Sequence, residues 1–182
     1  TQMAIRKTVK SHFPGEKTFE GQLNLAQGLF RMDIVTPEKS TVVFDGTNLW
    51  TEQAPSVDFG GQAQVTKTKI DKKSESQLLV TKVFEKGVLQ KLFKIESEKA
   101  VNDEKYKKEI IVIKARPLSK DLAIQLLILG VDPKDKLVTE IGYVDDIGNQ
   151  TIMRFSNVEF PTNSDKKLFK YEPPKGAQVT NL

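Results

Sequence analysis

Few residues in this sequence have the types and spacing needed for catalysis or metal binding. His12 is the one histidine, it lies beside a Pro-Gly pair, and the chain contains no cysteine. A Ser-His-Asp triad would have to use His12, and a zinc site would lack its usual nitrogen and sulfur ligands. No glycine-rich phosphate loop containing a lysine is present. The sequence therefore predicts a protein that is not an enzyme and binds neither a cofactor nor a metal.

One acidic pair requires a separate interpretation. Asp145 and Asp146 precede Gly148 and Asn149. Adjacent carboxylates could bind a hard cation, but Asp, Gly and Asn are also the residues that form tight turns between strands. We interpret the pair as part of a hairpin turn.

Length and composition are those of a globular protein. The chain has 182 residues and a net charge of +4, which predicts a single domain over residues 1–182. No apolar run approaches the ~20 residues of a membrane-spanning helix. The basic residues are scattered, and aromatic residues occupy alternating positions typical of a core rather than of a nucleic-acid surface. We therefore expect no nucleic-acid partner.

Alternation of apolar and polar residues dominates the chain and predicts strands. Phe30, Met32 and Ile34 alternate with Arg31 and Asp33, for example. About ten such segments are separated by turn residues, which is typical of an antiparallel sheet, barrel or sandwich. The segment near Met3 to Ser11 is predicted as a strand, although its apolar spacing would also suit a helix. Leu79, Val80, Val83 and Phe84 are spaced for one face of a helix instead.

Three segments, taken together, resemble the periplasmic lipoprotein carrier (LolA) family. The first is GQLNLAQGLFRMDIVTPEKSTVVFDGTNLW, with its Asp45-Gly46 turn and Trp50. The second is VTEIGYVDDIGNQTIMRFSNVEF, and the third is KKLFKYEPPKGAQV, with its double proline. They occur in the family's order over nearly the whole chain, although residues 55 to 110 match loosely.

The resemblance implies a mainly β fold, an incomplete (half-open) antiparallel β-barrel of about ten to eleven strands with helices covering the concave face. It also implies a periplasmic carrier that binds the acyl chains of lipoproteins in a hydrophobic cavity and takes them from the inner to the outer membrane. The expected partners are those acyl chains, an inner-membrane lipoprotein-releasing transporter and an outer-membrane lipoprotein receptor, and we expect a monomer. Two alternatives share the fold: a periplasmic sensor or protein-interaction domain, and a lipid-anchored lipoprotein receptor.

Two departures from the family pattern concern the lid over the cavity. Thr1 stands where the family's N-terminal lid helix gives way to strand, so this chain is expected to lack that helix. Family members often have a basic residue and a proline before the Phe-Arg strand, and the basic residue can hold the lid closed. The matching positions here are Ala26 and Gln27, which argues against an arginine latch.

We predict that acyl chains contact large apolar residues of the strands and the helix: Leu23, Leu25, Phe30, Met32, Ile34, Val42, Phe44, Trp50, Leu79, Val83, Phe84, Leu127 and Leu129. Alternation does not decide which set of residues faces inward. Leu126 and Ile128 could replace Leu127 and Leu129, and Trp50 could belong to the ordinary core.

Overall fold

The computed structural model describes residues 1–11, 13, 15–55, 61–71, 78–85, 87–103, 108–162 and 165–182. His12 lies outside the described residues. The fold is mainly β, as the sequence predicts. The described part contains twelve strands, more than the ten to eleven expected: β1 Gln2–Lys10, β2 Glu16–Ala26, β3 Leu29–Thr36, β4 Ser40–Phe44, β5 Asn48–Gln53, β6 Gln64–Lys69, β7 Phe93–Asp103, β8 Lys108–Pro117, β9 Ile124–Asp132, β10 Leu137–Asp145, β11 Gln150–Glu159 and β12 Gln178–Asn181.

Helical structure is short in the described residues. Helix α1 spans Leu79–Phe84, which confirms the helix predicted from apolar spacing, and α2 spans Leu89–Leu92. Two 3₁₀ helices cover Lys120–Leu122 and Lys166–Phe169. No helix in this part of the chain is long and apolar enough to cross a membrane.

The chain divides into two compact units. The first unit consists of Thr1–Ile5, Phe19–Glu75 and Asn157–Leu182, and the second of Arg6–Thr18 and Ser76–Ser156. The prediction that residues 1–182 act as one domain stays a prediction.

In the first unit the strand order is β12-β6-β5-β4-β3-β2. Neighbours from β2 to β6 are antiparallel, and β12 alone runs parallel to its neighbour β6. Gln27 and Gly28 connect β2 to β3 with φ values of 47° and 79°. Positive φ at both central residues defines the type I′ turn, whose twist matches the flanking strands.

In the second unit the strand order is β11-β10-β9-β8-β7, and all four pairs are antiparallel. Asp132 begins the β9–β10 turn by accepting hydrogen bonds from the backbone N–H groups of Lys134 and Asp135 at 2.9 and 3.3 Å. Its carboxylate also pairs with Lys108 of β8 at 2.5 Å. These contacts hold three consecutive strands in register at one end of the unit.

Gly21 lies at a close backbone approach between β2 and β3. A Cβ at this position would lie 2.0 Å from the Asp33 carbonyl oxygen. We predict that Gly21→Ala lowers the free energy of unfolding by about 3 kcal/mol, because the strands would have to separate. Urea unfolding measures this change.

The matched control is Gly142→Ala, also within a strand. The nearest heavy atom to a Cβ there is Ile128 Cβ at 3.6 Å, an ordinary contact. We expect a change below about 1 kcal/mol. Equal effects of the two substitutions would contradict the close approach at Gly21.

Candidate apolar binding faces

Side chains on a strand alternate between its two faces, and directly paired residues share a face. In the first unit, Leu23 pairs with Met32, Leu25 with Phe30, Phe30 with Phe44, and Phe44 with Leu49. The register therefore places eight apolar residues on one side of β2–β5, which we call the Phe30 face: Leu23, Leu25, Phe30, Met32, Ile34, Val42, Phe44 and Leu49.

The Phe30 face is largely buried. Leu23, Phe30, Ile34, Phe44 and Leu49 are buried, and Leu25, Met32 and Val42 are half-buried. The rings of Phe30 and Phe44 lie 6.4 Å apart between centroids. Strand residues from Gly21 to Gln53 put no charged side chain on this face. It is thus a continuous apolar surface across four strands.

Trp50 lies on the opposite side of the same strands. It pairs with Val43, whose side chain points away from Phe44 and Val42. We call this side the Trp50 face. Of the predicted contact residues in the first unit, Trp50 alone is separated from the others.

The Asp45 carboxylate holds Trp50 in place. It accepts the indole N–H of Trp50 at 2.8 Å and the backbone N–H groups of Thr47 and Asn48 at 2.9 and 2.7 Å. Partial burial acts to raise the pKa of Asp45, but the hydrogen bonds from Asn48, Trp50 and Thr47 outweigh it and hold this pKa below its usual value. One side chain therefore fixes both the β4–β5 turn and the tryptophan.

The C-terminal segment packs on the Trp50 face. The Tyr171 ring lies 5.3 Å from that of Trp50, and its hydroxyl donates to Glu52 at 2.6 Å. Burial, together with the hydrogen bond and negative charge of Glu52, raises the pKa of Tyr171, so its hydroxyl stays protonated. Phe169 is buried, and Arg31 Nη1 donates to the neighbouring Leu168 carbonyl at 3.5 Å. The Trp50 face is thus occupied by the chain itself.

The second unit has its own apolar face, defined by the pairs of Ile141 with Leu129 and with Met153, and of Leu127 with Tyr143. Phe155 follows Met153 on the same side. We call this the Leu127 face. Leu127, Leu129, Ile141, Met153 and Phe155 are each at most 3% exposed.

Helix α1 contacts the Leu127 face. The ring of Phe84 meets that of Phe155 edge to face, with 5.6 Å between centroids. Leu79 and Val83 are buried, whereas Phe84 is half-buried. Leu127 and Leu129 therefore lie on the side covered by α1, and Leu126 and Ile128 lie on the other side.

The acidic pair behaves as a turn. Asp145 accepts hydrogen bonds from the backbone N–H groups of Ile147 and Asn149 and from the Asn149 side chain, at 3.1, 2.7 and 2.9 Å. This confirms the turn interpretation. In the described part of the chain, no group of three or more His, Cys, Asp or Glu residues could hold a metal.

Sequence reasoning missed Leu49 and Tyr171. Leu49 could have been found from the four-residue turn at 45–48, which pairs positions 44 and 49 and so assigns Leu49 rather than Trp50 to the Phe30 face. Tyr171 gave no local signal, because its partner Glu52 lies 119 residues away in sequence.

The fold and these faces define a mainly β protein with two apolar sheet faces, and sequence comparison assigns it to a family. The model of the family "Outer membrane lipoprotein carrier protein LolA" matches residues 7–172, so the chain belongs to this family. It is 27% identical over 158 residues to the outer-membrane lipoprotein carrier protein of Neisseria meningitidis serogroup C, covering 85% of this chain and 68% of the relative. The carrier protein of Neisseria gonorrhoeae is similar at the same identity and coverage.

Among solved structures, an uncharacterized conserved protein from Thermus thermophilus has a similar fold. The TM-score is 0.50 at 15% sequence identity, covering 98% of this chain and 90% of that one. This likeness supports the fold assignment.

The Asp45 hydrogen bonds predict a local, pH-dependent stabilisation. Because the pKa of Asp45 is lower in the folded state than the ~3.9 of an unfolded aspartate, its contribution is present above pH ~4 and is lost as the pH falls through the folded value. Asp45→Asn should lower the free energy of unfolding by about 1–3 kcal/mol near neutral pH. It should also shift the emission of Trp50, the sole tryptophan.

Asp145→Asn is the control, because Asp145 makes a similar turn without an indole partner. It should destabilise the protein without shifting Trp50 emission. A destabilisation by Asp45→Asn that stayed constant down to pH 2 would contradict the ionised role of Asp45.

Proposed function

We propose that this protein is a periplasmic carrier that takes up the acyl chains of lipoproteins on its apolar faces and delivers them to the outer membrane. The observation that carries the proposal is the Phe30 face, an uncharged apolar surface in a chain of the lipoprotein carrier family. The residues proposed to contact acyl chains there are Leu23, Leu25, Phe30, Met32, Ile34, Val42, Phe44 and Leu49.

In the second unit, we assign acyl contact to the Leu127 face and to α1. Leu127 and Leu129 supply the strand surface, and Leu79, Val83 and Phe84 supply the helix. The half-buried ring of Phe84 could turn away from Phe155 and admit a chain without disturbing a strand. The Trp50 face has no lipid role in this proposal, since Tyr171 and the Leu168 backbone already contact it.

The energetics of the cargo call for such a surface. Burying one methylene group contributes about 0.8 kcal/mol, so one chain of ~16 carbons represents on the order of 10 kcal/mol. A lipoprotein cannot cross water unless the apolar surface of its acyl chains is covered. Uptake and release need no bond to be made or broken, so the proposed activity is not enzymatic. The proposed partners are an inner-membrane transporter that releases lipoproteins and an outer-membrane receptor that accepts them.

A charged side chain placed on the Phe30 face should weaken acyl binding. Met32 is half-buried on this face, and we predict that Met32→Lys weakens binding of an environment-sensitive fatty-acid probe by about ten-fold or more, because an ammonium group would lie against the chain. The control is Val35→Lys on the same strand, since Val35 is 57% exposed and lies on the opposite face. It should stay within about two-fold of the unsubstituted protein, and equal losses would contradict the assignment.

Cargo recognition should depend on acylation. We expect the protein to form a complex with a triacylated lipoprotein but not with the same lipoprotein carrying serine in place of its acylated cysteine. Size-exclusion chromatography with mass spectrometry measures the complex. Equal binding of both forms would contradict the carrier proposal and favour a protein-interaction domain.

A further inference from the structure

Beyond Leu49, the side of the sheet that carries the Phe30 face changes from apolar to polar. Thr51 pairs with Thr66, Gln53 with Gln64, and Leu49 with Thr68. Strand β12 continues the same side. We call the resulting set the Thr–Gln surface: Thr51, Gln53, Gln64, Thr66, Thr68, Gln178 and Thr180.

The residues that form the Thr–Gln surface are all uncharged, and a carboxylate meets the surface at Gln53, whose amide contacts Glu38. The charged residues of β5 and β6, which are Glu52, Lys67 and Lys69, all lie on the Trp50 face. The charged residues of these two strands therefore lie on the opposite side from the Thr–Gln surface. Such a surface suits a neutral ligand with hydrogen-bonding groups, because an unpaired charge beside that ligand would be costly to desolvate.

The hydrogen-bonding capacity of this surface is largely unused. Within the described residues, the hydroxyls of Thr51, Thr66 and Thr68 make no hydrogen bond to the protein. Gln53 is the exception, since its amide donates to Glu38 at 3.1 Å. Thr51 is exposed, and Thr66 and Thr68 are half-buried. These three hydroxyls lie on β5 and β6, where Thr68 pairs with Leu49 at the edge of the Phe30 face.

We propose that the Thr–Gln surface binds the ester and amide carbonyls that join acyl chains to the lipoprotein. This inference rests on the proposed function. A carbonyl adjoins the first methylene of each chain, so a chain lying on the Phe30 face places its carbonyl at the edge of that face. Neighbouring strands are about 4.8 Å apart, so the donors of β5 and β6 lie within about 5–10 Å of the β4 residues. The threonine hydroxyls and glutamine amides donate to the carbonyl oxygens.

The test compares dipalmitoylglycerol with dihexadecylglycerol, an ether lipid with equal chains and no carbonyl. Each displaces the fluorescent fatty-acid probe. We expect the diester to bind roughly three- to ten-fold more tightly, as one or two neutral hydrogen bonds would give. The triple variant Thr51→Val, Thr66→Val and Thr68→Val should bind both lipids with the affinity of the diether. Valine has a high strand propensity, so the sheet should persist, and thermal unfolding checks this.

Thr47→Val is the matched control, because Thr47 is exposed in the β4–β5 turn and outside the Thr–Gln surface. It should retain the ester preference. Equal binding of diester and diether to the unsubstituted protein, or an ester preference that survives in the triple variant, would overturn the inference alone. Failure of both lipids and of the probe to bind would overturn the proposed function itself.

Phospholipids also contain ester carbonyls, so the source of the ligand needs its own comparison. We expect a triacylated lipopeptide to displace the probe at lower concentration than dipalmitoyl phosphatidylglycerol, and the triple variant to reduce that difference. Tighter binding of the phospholipid would overturn the assignment of this surface to lipoprotein cargo.

Discussion

The Asp45 carboxylate fixes the register on which the rest of the first unit depends. It accepts hydrogen bonds from the backbone N–H groups of Thr47 and Asn48 and from the Trp50 indole. With the turn fixed in this way, Phe44 pairs with Leu49 and Val43 pairs with Trp50. A slip of one residue would move every side chain of β5 to the opposite face. Leu49 would then be exchanged for Trp50 on the Phe30 face, and the uncharged surface formed by Thr51 and Gln53 would receive Glu52.

The two sides of the first unit have different surroundings and, in our proposal, different roles. On the Trp50 face, Tyr171 packs against Trp50 and anchors the C-terminal segment, and Lys67 Nζ lies 4.9 Å from the centroid of the Trp50 ring. The Trp50 face carries aromatic and charged residues, and other residues of the same chain already contact it. The Phe30 face is uncharged and includes Met32, whose flexible side chain adapts to varied acyl chains. Because we assign lipid to the Phe30 face, the anchoring contacts on the Trp50 face stay undisturbed.

Local pattern predicted the elements of the fold better than it predicted the sides of the sheet. Alternation of Phe30, Met32 and Ile34 was enough to predict β3, and the spacing of Leu79 and Val83 was enough to predict α1. Alternation defines two sets of residues in each strand, but only pairing between strands shows which sets share a face. For this reason Trp50 was grouped with Phe44 from sequence, whereas the register groups Leu49 with it. Strand β12 was missed because its partner β6 is more than 100 residues away in sequence.

The central claim is that acyl chains lie on the Phe30 face. Val42 and Val43 are adjacent in β4 and point to opposite sides, so their methyl groups report on the two faces separately. Intermolecular NOEs between a protonated acyl chain and methyl-labelled protein test the claim most directly. We predict NOEs from the acyl methylenes to Val42 and Leu25 and none to Val43 or Val65. NOEs to Val43 and Val65 in the absence of NOEs to Val42 would contradict it.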